Sequence, residues 1–340
     1  MASGKWGYRP STVEGLRRLA ASVWVRALVS AGLLALVATR IDFGAGSSRL
    51  SHGRWGWLAA AVCSVFISLL VGAGRWSLYL RAAAVESGLS SVFRAYLIGA
   101  FTTNFLPSQA GGDVTRAWLV SRRGTRVRAA TTVVVDRVTA LGCLIVVAWL
   151  AFALDHSSVP TALVAALAAT TGAFAAGWLV VALVLRGRGR IAPKLPARLV
   201  GSAREASESL RACVARPVLW RTSLIGLGFQ ALIALAAWLI ARSITLGVPF
   251  AALLTTLPVV VVLAAAPVSI GGLGVREGSY VLLLGQAGVG TTEATLFSLM
   301  TAATFALASL PGGLALLRRG ERRAAARGSE TVRPAEIVDV

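Results

Sequence analysis

Histidine occurs at two positions only, His52 and His156, and cysteine at three, Cys63, Cys143 and Cys213, in a chain of 340 residues. So few imidazoles make a histidine-based metal or catalytic site an improbable design. The cysteines are widely spaced and two of them fall inside apolar stretches, so neither a disulfide framework nor a zinc site is expected. Charge is scarce as well. Asp, Glu, Lys and Arg make up 14% of the chain against 56% hydrophobic residues, and the mean hydropathy is +0.74, which is far too apolar for an ordinary soluble domain. The sequence GxxxxGK[ST] is missing, which removes ATP bound in that way as a direct energy source. No cleavable signal peptide is expected either, because the first apolar block, 22–39, contains Arg26 and lacks a convincing small-residue cleavage site. No cofactor is indicated.

What the chain has in quantity is apolar sequence in blocks of the length that crosses about 30 Å of hydrocarbon as a helix. Six such blocks, 22–39, 55–74, 130–154, 161–185, 222–246 and 292–317, read as full spans. A transmembrane barrel would show alternating segments of about ten residues, and the Ala/Leu/Val run 161–185 has no period of two. Two further apolar regions, 92–121 and 250–288, are interrupted by Pro and Gly clusters and read as pairs of short helices around a non-helical tip. The expected fold is all-α: a polytopic membrane protein with about six spans and two broken, re-entrant hairpins.

The formal charge of +20 would suggest nucleic acid in a soluble protein. Here the arginines sit between apolar blocks, where they set topology and attract anionic headgroups; a nucleic-acid partner is not expected. Residues 186–221 carry nine Lys or Arg against Glu205 and Glu208, and 318–340 carry six Arg, so both are expected on the cytoplasmic side, as is the N-terminal segment 1–21 with Lys5, Arg9, Arg17 and Arg18. The link 155–160, without Lys or Arg, is expected outside. Arg40, Arg49 and Arg54 then fall outside, against the rule. Within 186–221, Leu199, Ala203, Ala206 and Leu210 recur at helical spacing, which fits either an amphipathic helix on the inner surface or an ordinary basic loop. The tail 318–340 has the composition of a disordered segment.

Pro107-Ser108-Gln109-Ala110-Gly111-Gly112-Asp113-Val114-Thr115-Arg116 and Pro267-Val268-Ser269-Ile270-Gly271-Gly272-Leu273-Gly274-Val275-Arg276 share the pattern PxxxGGxxxR, 160 residues apart. Each is followed by a span and preceded by one, so the chain contains two repeats, about 55–154 and 222–317. On the orientation above the repeats are inverted. Gly/Pro-interrupted segments at matching places of an inverted repeat point to a transporter with its binding site where the broken helices meet.

Non-helical backbone at membrane depth survives where it is buried in protein or lines a wet cavity. Paired glycines expose consecutive N–H groups there, and the following helix adds its positive end, which suits phosphate. Arg116 and Arg276, one turn into those helices, would add full charges. The plainer alternative is a close-packed helix junction that needs small residues. Asp113 is either an N-cap or a direct participant. Asp136 and Arg137, early in a span, are either functional or an internal ion pair or snorkelling pair. Arg75 reads as an interfacial anchor. Glu277 can pair with Arg276, couple to protons or cap a helix, and Asn104 can satisfy freed backbone groups or contact a ligand.

Asn104-Phe105-Leu106-Pro107 with Gly111-Gly112-Asp113 and Arg116, Asp136-Arg137, and Pro267 with Ser269, Gly271-Gly272-Leu273-Gly274 and Arg276-Glu277-Gly278 together resemble a flippase-like membrane family related to the transmembrane region of lysylphosphatidylglycerol synthases. The similarity runs over about 20–318. It implies a flippase-like transmembrane domain, 22–317, in a bacterial or archaeal inner membrane, handling lipids with anionic or phosphate headgroups and moving them between leaflets. In the bifunctional synthases a soluble C-terminal domain transfers the aminoacyl group. Only some 22 residues follow the last span here, so transport rather than synthesis is expected. The alternative is a lipid-binding subunit, or a membrane enzyme, of aminoacyl-phospholipid or polyprenyl-phosphate glycolipid metabolism, with a separate lipid-modifying transferase as partner. A mere scaffold would not need internal Asp and Arg.

Overall fold

The computed structural model describes residues 53–104, 109–122, 124–186, 197–265 and 274–330, and every regular element among them is helical. In chain order these are α1 (Trp55–Ala82), α2 (Leu89–Thr103), α3 (Gln109–Val120), α4 (Arg126–Leu154), α5 (Thr161–Arg186), α6 (Ala197–Cys213), α7 (Arg216–Ser243), α8 (Phe250–Ala265), α9 (Val275–Gln286) and α10 (Thr291–Glu330).

Five of them, α1, α4, α5, α7 and α10, are long and apolar enough to cross a membrane. They coincide with five of the expected spans; the sixth, 22–39, lies outside the described residues. The helices overrun the apolar blocks at their charged ends. α1 continues through Arg81 and α7 starts at Arg216, because arginine is a good helix former and its head can reach the headgroup layer. Large apolar side chains such as Leu154, Leu317 and Trp220 are exposed, at 89%, 66% and 70%, as a lipid-facing surface requires.

α10 runs on as helix through Glu330, so residues 318–330 of the tail continue the last span: Ala, Arg and Glu propagate a helix that the span has already nucleated. In the basic linker α6 is a helix, but its inward face is set by Ser209 and Cys213, which are buried, while Ala203 is exposed. It is fastened by Arg128 Nε to Glu205 Oε1 at 3.1 Å and by Cys213 Sγ to the Tyr79 carbonyl at 3.7 Å.

The repeat is visible in the backbone. α1, α2, α3 and α4 correspond in order to α7, α8, α9 and α10. α1 ends with Ala84 at φ 55° and the Val85 amide donating to the Leu80 carbonyl at 2.8 Å; α7 ends with Thr245 at φ 52° and the Leu246 amide donating to Ala241 at 2.8 Å. Both are the same left-handed helix stop, on non-glycine residues that rarely adopt it.

The halves are inverted. The Arg54 amide donates to the Ser243 carbonyl at 3.0 Å, joining the start of α1 to the end of α7, while Cys213, just before α7, reaches Tyr79 near the end of α1. α1 and α7 are therefore antiparallel. Each is followed by a hairpin, so α2–α3 opens toward one end of the bundle and α8–α9 toward the other.

The first hairpin is tightly closed. A Cβ on Gly99 would lie 2.9 Å from the Gly112 carbonyl oxygen and 3.0 Å from Arg116 Cβ, and one on Gly112 would run into Thr103 Oγ1 and the Gly99 carbonyl. At its open end Ser87 Oγ donates to the Val120 carbonyl at 3.4 Å. Fifteen and twelve residues rise about 22 and 18 Å, short of the roughly 30 Å of hydrocarbon. The hairpin is re-entrant.

Candidate functional site

α1, α3 and α4 bring five charged side chains into one chain of contacts. Asp136 Oδ1 accepts from Arg75 Nε at 3.0 Å and Nη2 at 2.6 Å, and its Oδ2 accepts from Arg116 Nη1 at 3.0 Å. Arg116 Nε donates to Asp113 Oδ1 at 3.1 Å, and Arg137 Nε donates to Asp113 Oδ2 at 2.7 Å. The order Arg75–Asp136–Arg116–Asp113–Arg137 alternates in sign and ends on a cation at both sides, so two carboxylates face three guanidinium groups. The cluster carries a surplus positive charge.

Burial falls along the chain. Arg75, Asp136 and Arg116 are 1%, 2% and 5% exposed, whereas the Asp113 and Arg137 side chains are 18% and 47% exposed. Charges at such depth persist only when paired and hydrogen-bonded. Aromatic faces complete the lining: the Arg116 guanidinium lies 4.9 Å from the Trp76 ring centre and 4.8 Å from that of Tyr96, and Arg75 lies 5.5 Å from Phe229. Arg75 Nη1 has no hydrogen-bond partner and sits where a Cβ on Gly226 would be 2.9 Å away, so a glycine on α7 makes room for it.

This geometry changes several sequence expectations. Gly111 and Gly112 are the third and fourth residues of α3, which begins at Gln109, so they lie in the first turn of the helix and not in a non-helical tip before it. Gly112 serves the close packing of α3 on α2, the plainer of the two readings. Arg116 is eight residues into α3 rather than one turn, and its guanidinium is engaged by two carboxylates. Asp113, four residues past Gln109, is not the N-cap; it bridges Arg116 and Arg137. Asp136 and Arg137 do not pair with each other. Arg75, expected at the interface, is instead the most buried arginine of the cluster. Its position 21 residues into an apolar helix, counted from Trp55, was the available signal.

The second tip is built differently. Gly274, at φ 81°, precedes α9 in a conformation that favours glycine. Glu277 Oε2 accepts the Gly274 amide at 2.6 Å, and Oε1 accepts from Arg276 Nε at 3.1 Å, Arg276 Nη2 at 2.6 Å and Ser298 Oγ at 3.4 Å. Glu277 thus both caps the helix and pairs with Arg276; it is 1% exposed, and the Arg276 side chain 24%. Asn104, at the end of α2, donates from Nδ2 to Ser309 Oγ of α10 at 3.0 Å. Pro107, Pro267, Ser269, Gly271 and Gly272 lie outside the described residues.

Both hairpins therefore touch α10, at Ser309 and Ser298. Eleven residues of helix separate these contacts by about 16 Å, with the hairpins approaching from opposite ends. Among the described residues no ion pair joins the five-residue cluster to Arg276–Glu277.

Compared with known families, residues 23–312 match the family model of the lysylphosphatidylglycerol synthase transmembrane region, a stretch that contains both hairpins and both charged clusters. A search of curated proteins gives no match.

Proposed function

The chain belongs to the family of the lysylphosphatidylglycerol synthase transmembrane region, and from that premise we propose that it is a flippase-like transporter that moves an anionic or phosphate-bearing lipid between leaflets. The observation that carries the reading is the pair of short hairpins entering an inverted repeat from opposite ends. Related by inversion, they offer two arrangements of similar energy, each opening the interior to one side.

The charge distribution fits an anionic headgroup. Arg137 and Arg276 keep part of their surface accessible, so they are the groups that contact phosphate. Arg75 and Arg116 do not reach the ligand; held against Asp136, they supply the surplus positive field from behind. In a site of low dielectric such a field acts over a longer range than in water. Asp113 and Glu277 hold Arg137 and Arg276 in place, and exchanging a carboxylate for a phosphate on either arginine couples lipid binding to hairpin movement.

In this reading the protein transports and does not catalyse, and a separate transferase supplies or consumes the lipid. It resides in the plasma membrane with both termini cytoplasmic. The test is leaflet exchange of fluorescent phosphatidylglycerol, a polyprenyl-phosphate lipid and phosphatidylcholine in proteoliposomes. Faster exchange of an anionic lipid than of phosphatidylcholine supports transport and identifies the lipid class. Folded protein that accelerates none of the three contradicts it.

A further inference from the structure

A groove of about 550 Å³ lies at the open end of the first hairpin, between α2, α3 and α10. Two arginines from different elements face it, Arg94 of α2 and Arg318 of α10, with Ser91 beside them. Both arginines are exposed, and neither forms an ion pair among the described residues. They differ in this from the arginines of the buried cluster, each of which already holds a carboxylate.

The rest of the groove is apolar. Ala95 and Ile98, 3% and 0% exposed, form part of it, with Ala315 opposite. Its level is that of the lipid boundary: Arg318 ends the membrane-crossing stretch of α10, and Leu314 and Leu317 beside it are 59% and 66% exposed. A polar rim of two cations over an apolar wall at this depth matches one kind of ligand, a phosphate with a glycerol backbone attached. We propose that the Arg94–Arg318 groove binds the headgroup of an anionic phospholipid from the adjacent leaflet.

The groove adjoins the buried cluster through α2. Tyr96 and Gly99, each one residue beyond a groove residue, touch Arg116 by its guanidinium face and its Cβ. Deeper along the same seam α2 and α10 are shut, with Gly312 against the Leu97 carbonyl and Gly313 against the Phe101 ring. A lipid held at Arg94 and Arg318 is thus stationed outside a closed seam, as a loading site. Only that role in loading rests on the transport reading; the binding site itself does not.

The experiment reads binding without transport. Spin-labelled phosphatidylglycerol and phosphatidylcholine are compared in phosphatidylcholine vesicles that contain the full chain, and the motionally restricted fraction gives their relative affinity. The native protein is expected to prefer phosphatidylglycerol, and each of Arg94→Gln and Arg318→Gln to lower that preference by about fivefold. Arg94→Lys is expected to retain it, and Ala315→Trp, which fills the groove and leaves both charges, to lose it. Unchanged preference in the double Gln variant overturns the site, and so does displacement of the lipid by millimolar inorganic phosphate, which marks a soluble-anion site. Native protein that holds phosphatidylglycerol here but exchanges none refutes transport and leaves the groove assignment standing.

Discussion

Arg75 of α1 and Asp136 of α4 form a two-pronged pair, with Nε 3.0 Å and Nη2 2.6 Å from the same Oδ1, and a third bond runs from Nη2 to the Asp136 carbonyl at 3.0 Å. Both side chains are almost fully buried. The other oxygen of Asp136 holds Arg116, so one carboxylate ties a span to the re-entrant hairpin.

Removing that carboxylate leaves two guanidinium groups in the interior with one acid fewer. Asp136→Asn is expected to destabilise the folded protein by about 3–5 kcal/mol, seen as a lower midpoint of thermal unfolding in detergent. Arg75→Met with Asp136→Leu removes both charges of the pair and is expected to be less damaging than Asp136→Asn alone. A double variant at least as unstable as the single would show that pairing is not what Asp136 provides.

Gly112 packs α3 directly against Gly99 and Thr103 of α2. Gly112→Ala is expected to cost about 1–3 kcal/mol by overpacking and to slow transport. Thr103→Ala should not rescue it, since the second obstacle is the Gly99 backbone carbonyl. Gly228→Ala, at a position with nothing within 4 Å of the added Cβ, serves as the neutral control. Full rescue by Thr103→Ala would place the constraint in the side chain alone.

The seam between the first tip and α10 must open if the hairpin moves. Asn104 and Ser309 are within hydrogen-bonding distance, so Asn104→Cys with Ser309→Cys should accept a short cleavable thiol linker. Lipid exchange is expected to stop on linking and to return on reduction. Exchange that continues in fully linked protein would mean that this contact stays closed during transport.

Cys213 tests the placement of α6. It is 0% exposed, and burial pushes its thiol up to about 11. The thiolate is the reactive form, and at pH 8 it amounts to about one part in a thousand; maleimide at that pH is expected to leave Cys213 unlabelled until the protein is unfolded. Rapid labelling of the native protein would show that α6 leaves Tyr79.

Much of this fold can be read from the residues, because a span announces itself by length and composition alone. The five described spans and the breaks at both hairpins follow from apolar runs and from Pro and Gly. The roles of the motif residues were less legible. The shared PxxxGGxxxR pattern suggests equivalent arginines, yet Arg116 lies in the third turn of α3 and Arg276 in the first turn of α9. The repeats agree in helix order and in how α1 and α7 end, but not in where the helix begins after the break. Nor does spacing show that Asp136 faces Arg75, 61 positions away; that contact depends on how α1 and α4 pack. Arg94 and Arg318 carry no motif at all, and only the approach of α10 to α2 makes them neighbours.

The most direct test of the account is leaflet exchange of phosphatidylglycerol by native protein, Arg137→Ala and Arg276→Ala in matched proteoliposomes. One charge-assisted hydrogen bond contributes about 1.5–3 kcal/mol, a factor of about ten or more. Each variant is therefore predicted to insert and fold normally and to exchange the anionic lipid at least about tenfold more slowly. Native rates in both variants, from folded protein, would contradict the proposal that these two arginines receive the headgroup.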